Sequence, residues 1–213
     1  MKKIIKQSEP RSLVKHRSKQ RANQNADYEN YPEKDDLRKS LLEEQGYICC
    51  YCMSRITSEQ MKIEHWKPQT KYTSLQLDYR NLLGACKGGE GSRLQKQHCD
   101  TRKGESEITV NPIEGDKNCE NLIRYRPDGE IYSTDESINL DLNKTLNLNL
   151  EFLKKNRKVA LDVVLDQLRK KFPNTTWTAN IRQKVINDLS DKDANGYYSE
   201  YCQIAIWYLK YKL

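Results

Sequence analysis

The chain has 213 residues, 31% of them charged and 36% hydrophobic, which is enough to bury a core of one or two domains without disulfide staples. No apolar run approaches the roughly 18 residues that a membrane-spanning helix needs, which excludes a protein built on such helices. Seven cysteines behind the start Met1-Lys2-Lys3-Ile4-Ile5-Lys6, with no leader-like apolar stretch, predict a reducing cytoplasm in which paired thiols bind metal.

The net charge of +7 is unevenly placed, because Lys2, Lys3, Lys6, Arg11, Lys15, Arg17, Lys19 and Arg21 face only Glu9 before residue 27. A basic arm of this kind suits phosphate, and equally a solvated tail or a partner-binding segment. Residues 1 to 32 are polar and weakly periodic, which predicts extended or partly ordered chain ended by Pro32. Asp35 or Asp36 then caps a predicted helix with Leu37, Leu41 and Leu42 on one face and Gly46 as its stop. Met61-Lys62-Ile63-Glu64-His65-Trp66 alternates as a short strand does, with Pro68 to end it. Tyr79 to Ala85 reads as a helical turn leading to Cys86, and Gly88-Gly89-Glu90-Gly91 as a flexible insertion.

Beyond Gly104 the pattern changes. Pro127-Asp128-Gly129 is a turn between Leu122–Tyr125 and Glu130–Tyr132, which predicts a hairpin. Three helices follow: one through Leu150, Leu153, Leu161, Val164, Leu165 and Leu168 up to Pro173, one through Ile181, Val185, Ile186 and Leu189, and one through Tyr201, Ile204, Ala205, Tyr208 and Leu209.

The chemistry is concentrated between Cys49 and Asp100. Cys49 and Cys52 form a C-x-x-C knuckle, and Cys86 and Cys99 supply a second thiolate pair, which together meet the demand of one tetrahedral structural zinc. His98 stands beside Cys99 as a competing ligand, and Cys50 lies between two ligands. Cys119 and Cys202 read as simple buried thiols. His65 is the best general base in the chain, since His16 and His98 lack a comparable setting. Glu64 precedes it on the strand, so the two side chains diverge unless the strand ends or bulges there. Asp100 suits either magnesium or manganese, or a helix cap; Asn81 suits either the histidine or a backbone turn.

In this order, Cys49-Cys50-Tyr51-Cys52, Ile63-Glu64-His65-Trp66-Lys67-Pro68, Asn81-Leu82-Leu83 and Cys99-Asp100-Thr101-Arg102-Lys103-Gly104 resemble the HNH endonucleases, the ββα-metal nucleases, over residues 44 to 105. The resemblance implies that His65 is the base, that Glu64 and Asp100 hold a catalytic Mg2+ or Mn2+, and that Asn81 supports His65. Asp100 stands where the last histidine of the family name belongs, and Glu64 where aspartate or histidine is more usual. The wider frame, with Asn111-Pro112 and Leu146-Asn147-Leu148-Asn149 before a long helix, resembles the HNH component of Septu-type anti-phage systems, also found beside certain retrons. That implies a nucleic-acid substrate, DNA rather than RNA, and a partner ATPase subunit of PtuA type, of the ABC/SMC-like class.

The expected fold is α+β: a zinc-stapled ββα-metal finger in a mostly helical protein. Its expected divisions are a basic arm and helix over 1–43, the nuclease core over 44–107, and a hairpin with helices that bind a partner over 108–213. Lys67, Lys71, Lys87, Arg93, Arg102 and Lys103 are the expected phosphate contacts. Tyr197, Tyr198, Tyr201, Trp207, Tyr208 and Tyr211 are candidate interface aromatics, or packing for the chain's own helices. A zinc-finger binding module without catalysis is the rival reading, and a pure interaction subunit a third.

Overall fold

The computed structural model describes residues 1–21, 26–113, 118–173 and 175–212. Within them the chain is α+β. Two antiparallel two-stranded sheets, β1 (Met61–His65) with β2 (Leu82–Cys86) and β3 (Arg124–Tyr125) with β4 (Ile131–Tyr132), lie among eight α-helices. The helices are α1 (Arg11–Arg21), α2 (Lys34–Glu44), α3 (Cys99–Lys103), α4 (Cys119–Leu122), α5 (Glu136–Leu140), α6 (Glu151–Lys171), α7 (Ala179–Ser190) and α8 (Cys202–Tyr211).

The leucines of α2 bury as their spacing requires, with Leu37, Leu41 and Leu42 inward. Asp35 and Asp36 sit inside its first turn rather than capping it, where acidic charge still complements the helix dipole. Gly46, at a φ of +56°, ends the helix; a Cβ there would lie 2.4 Å from the Tyr198 ring, so both its handedness and its lack of a side chain are used. The hairpin at Pro127-Asp128-Gly129 and the three C-terminal helices form where the sequence places them. Helix α8 packs against α6, α7 and β3, and Ile204, Ala205, Ile206 and Leu209 are all buried.

Three expectations are corrected. Residues 11–21 are helical, not extended, because Leu13 and His16, one turn apart, both bury; the His16 ring packs at a tilt against Tyr31 and its Nε2 meets the Asp27 carbonyl at 2.9 Å. Residues 22–25 of the same expectation lie outside the described residues. The stretch after Asn81 is a strand, preceded by one short helical turn, Tyr79–Asn81. The segment from Lys87 to His98 is a chain of hydrogen-bonded turns closed by His98 N–H donating to the Gly88 carbonyl at 2.9 Å, not a loose insertion.

The basic start is tied down by partners both within it and far along the chain. Lys6 pairs with Glu44, whose side chain is fully buried, and its Nζ also donates to the Leu82 carbonyl at 2.8 Å and lies 3.7 Å from the Tyr79 ring centre. Glu44 accepts further hydrogen bonds from the Tyr79 hydroxyl and the Gln7 N–H. Arg17 pairs with Glu9, Lys2 with Glu120, and the amine of Met1 donates to the Tyr125 hydroxyl at 2.8 Å. One continuous buried cluster therefore runs from Met1 to Leu209.

Removing one member of a buried ion pair strands the other, a loss of about 3–5 kcal/mol. Glu44→Ala should lower the unfolding free energy by that amount in urea denaturation. Arg38→Ala, which breaks a pair with the exposed Asp35, should change it by less than about 1 kcal/mol.

Candidate active site and metal centre

Residues 47–56 fold as a tight knuckle. Cys49 N–H donates to the Ser54 carbonyl at 2.9 Å, Met53 N–H to the Cys49 carbonyl at 3.0 Å, and Ile56 N–H to the Tyr47 carbonyl at 3.0 Å. Met53 takes the left-handed conformation that closes the turn, at a φ of 66°. The end of β2 brings Cys86 to the knuckle, and its N–H donates to Cys49 Sγ at 3.3 Å; the first residue of α3 brings Cys99. Gly84 makes this approach possible, because Gln45 bridges it on both sides (Gly84 N–H to Oε1, 2.6 Å; Nε2 to the Gly84 carbonyl, 2.8 Å) and Cys50 N–H donates to the same carbonyl.

The sulfurs of Cys49, Cys52, Cys86 and Cys99 all lie within 4.8 Å of one another, with Cys49–Cys99 at 3.9 Å and Cys52–Cys86 at 3.8 Å. A tetrahedron with zinc–sulfur bonds of about 2.3 Å has edges of about 3.8 Å, so the thiols stand where zinc needs them. Burial alone would push the Cys49 thiol up, but hydrogen bonds from Cys50, Cys52, Cys86 and Cys99 outweigh it and bring the thiol well below its ordinary value, while contact with Cys49 pushes Cys86 up and burial, then contact with Cys49, pushes Cys99 up, the imbalance of crowded thiols that a shared cation would relieve. Cys50 is not among the four whose sulfurs converge, and burial and then contact with Cys49 push its thiol well up. His98 is likewise outside the four: its Nδ1 lies 3.1 Å from Cys99 Sγ, the position of a partner to a ligand.

Against this cluster lies an open pocket lined by Lys62, Glu64, His65, Gln69, Asp100 and Glu105, among others. Strand β1 ends at His65, which lets Glu64 and His65 reach the same pocket. Glu64 is buried; its Oε1 accepts from the Tyr51 hydroxyl at 2.6 Å and pairs with Lys103 Nζ at 2.9 Å. Burial first, and then the hydrogen bond and charge of Asp100, push the Glu64 carboxyl well above its usual range, while Lys103 pulls it down. Two carboxyl groups pressed together with little water are the setting that a divalent cation relieves, and their hard oxygens suit magnesium or manganese. Asp100 also pairs with Lys62 at 3.3 Å. Among the described residues the four cysteines are nonetheless the one group of three or more potential ligand side chains that converges.

His65 is buried, and its ring meets Tyr28 edge-on with centres 4.6 Å apart. Its Nε2 lies 3.1 Å from the Gln76 carbonyl. A carbonyl can only accept, so Nε2 carries the hydrogen and Nδ1 is the basic nitrogen. Burial lowers the histidine's pKa, against the hydrogen bond to Gln76. Asn81 spends its amide on the loop after β1: Oδ1 accepts from Lys67 N–H at 2.8 Å, and Nδ2 donates to the carbonyls of Lys67 and Leu75. That loop delivers the Gln76 carbonyl, so the link from Asn81 to His65 runs through it.

Sequence reasoning missed three members of this site. Tyr51 is fully buried between two cysteine ligands. Lys62 stands two residues before Glu64, and the alternation of β1 was the available signal. Lys103 was expected on phosphate, but it is 2% exposed and spent on Glu64 and on the His65 carbonyl at 3.1 Å. Asp100 lies in the first turn of α3 behind His98, so it is not the cap of that helix.

The chain thus combines a four-thiol cluster that could hold a metal with a carboxylate and histidine pocket built on a short antiparallel hairpin and helix. No family model matches it. It is similar to the Septu protein PtuB of Bacillus thuringiensis, with 32% identity over 79 residues. That stretch is 36% of this chain and spans 27% of the relative's length.

Protein purified without added metal should contain one zinc per chain by elemental analysis. Cys86→Ser should lose it and melt earlier, and Cys50→Ser should keep it. A zinc-free preparation with a cooperative melt would contradict the assignment.

Proposed function

We propose that the chain is a metal-dependent HNH endonuclease that hydrolyses nucleic-acid phosphodiester bonds, as the nuclease subunit of a Septu-type defence complex. The observation that carries this reading is the meeting of Glu64, His65 and Asp100 around one pocket beside the cysteine cluster. The likeness to PtuB, over the part of the chain that it covers, supports the Septu setting.

In this mechanism the bare Nδ1 of His65 takes a proton from water, which attacks phosphorus in line with the leaving oxygen. The Gln76 carbonyl holds the ring in that tautomer, and Asn81 holds the loop that carries Gln76. Glu64 and Asp100 would hold Mg2+ or Mn2+, which when bound supplies Lewis-acid stabilisation of the developing negative charge. Lys62, next to Asp100 on the pocket wall, is placed to attract the phosphate, a contact that positions without reading sequence.

The partner we assign to residues 108–213 is an ABC/SMC-like ATPase. Most C-terminal aromatics are committed internally: Tyr197 stacks on Tyr47, the Tyr201 hydroxyl accepts from Asn156, and Trp207 is buried, whereas Tyr211 is 61% exposed. Leu140, and Phe152, Val159 and Val163 on α6, are further exposed apolar side chains there, of which Val159 and Val163 lie one turn apart. The dock is tested on the full chain, since α8 belongs to the core. Val159→Glu with Val163→Glu should reduce co-purification of the ATPase while the melt is unchanged.

Plasmid, single-stranded DNA and transfer RNA, incubated with the chain alone and with its ATPase, with manganese and with chelator, test the activity. His65→Ala should abolish cleavage of any substrate the parent cuts, with zinc content and melting temperature intact, and Asp100→Ala should blunt the response to manganese. Cleavage retained in His65→Ala would leave the binding-module reading in its place. Because the base must be neutral and burial lowers its pKa, kcat/KM should fall with decreasing pH only below the ordinary histidine range.

A further inference from the structure

The Glu64 carboxyl has two oxygens, and the two buried donors that reach it both fall on one of them. Oε1 takes the Tyr51 hydroxyl at 2.6 Å and the Lys103 ammonium at 2.9 Å, so Oε2 is the oxygen left for a cation shared with Asp100. The donors come from opposite ends of the cysteine cluster. Tyr51 sits inside the knuckle between Cys49 and Cys52, and Lys103 is the last residue of α3, the helix that begins at Cys99. Tyr51 is fully buried and Lys103 is 2% exposed, so neither side chain can swing away to solvent.

We propose that Tyr51 is a positioning residue which couples the cysteine cluster to the carboxylate pair, fixing Glu64 so that it offers a divalent cation a single oriented oxygen. The inference rests on the nuclease reading above and deepens it, since it makes the knuckle part of the apparatus that aims the cation ligand. A thiolate cluster that only stapled the fold would place no demand on the residue between its ligands. Here that residue is a tyrosine whose hydroxyl has one partner, the very carboxylate in question. Groups that orient a metal ligand from behind are typically worth about 10–100-fold in metal affinity.

The test is Mn2+ binding to the zinc-loaded full chain, by titration calorimetry and by the loss of the free-ion paramagnetic resonance signal, with zinc content measured on the same samples. The parent should show a Mn2+ site that Glu64→Gln and Asp100→Ala each remove. Tyr51→Phe, which keeps the ring and deletes the hydroxyl, should keep its zinc and bind Mn2+ about tenfold or more weakly. A parent chain with no such Mn2+ site would overturn the nuclease reading and this inference together. Parental affinity in Tyr51→Phe would overturn the inference alone. So would a Tyr51→Phe protein that sheds zinc along with Mn2+, because the hydroxyl would then be acting through the thiolates rather than through Glu64.

Discussion

Everything near the pocket depends on four thiols meeting at one point. Cys49 and Cys52 come from a ten-residue knuckle, Cys86 from the end of a strand and Cys99 from the start of a helix, and their sulfurs bring all three pieces to one place. A two-stranded sheet of five residues a side is marginal in water by itself. Tying its last residue to the knuckle and to α3 turns it into a rigid ledge. Glu64 and His65 project from one edge of that ledge, and Asp100 follows directly after the closing cysteine, so the same bond that would anchor α3 also sets the distance across the pocket.

Electrostatics are settled by burial more than by net charge. The positive surplus suggests a surface made for phosphate, yet several of its cations are spent internally. Lys6 is buried on Glu44, Lys103 on Glu64, and Arg157 inside the C-terminal half on the carbonyls of Gly129 and Leu148. A cation kept from water needs acceptors close by, and each of these finds them on other segments of the chain. Lys62, only part-buried and shared between Glu90 and Asp100, is of the opposite kind: a charge loosely held beside the chemistry.

Much of this was legible in the sequence for physical reasons that can be named. The leucine spacing of α2 and α6 and the Pro127-Asp128-Gly129 turn are local signals, and local signals carried those elements. The cysteine set was legible because thiolates at knuckle spacing have few other uses. Strand β2 was misread because all five of its residues are buried, so the alternation that marks a half-exposed strand is missing. Helix α1 was misread because, among its described side chains, only Leu13 and His16 are buried in an otherwise polar run. Tyr51 was passed over, and Lys103 assigned to phosphate, for a related reason. A residue between two ligands looks like a spacer, and a lysine near a proposed phosphate site looks solvated, until tertiary packing gives each a buried carboxylate.

The way the last quarter of the chain folds back carries a consequence for how the protein is made. Tyr198 N–H donates to the Gly46 carbonyl, Tyr201 N–H to the Met53 carbonyl, and Arg55 to the Tyr198 carbonyl, so the knuckle is closed over by a strap about 145 residues downstream. Contacts of such long sequence separation form late, because the loop they close must first be paid for in entropy. On the ribosome the cysteines emerge well before their cover does. Until that strap exists the half-built knuckle is exposed to stray metals and oxidants, which makes the order of synthesis, and not only the finished geometry, part of how the right ion comes to be enclosed.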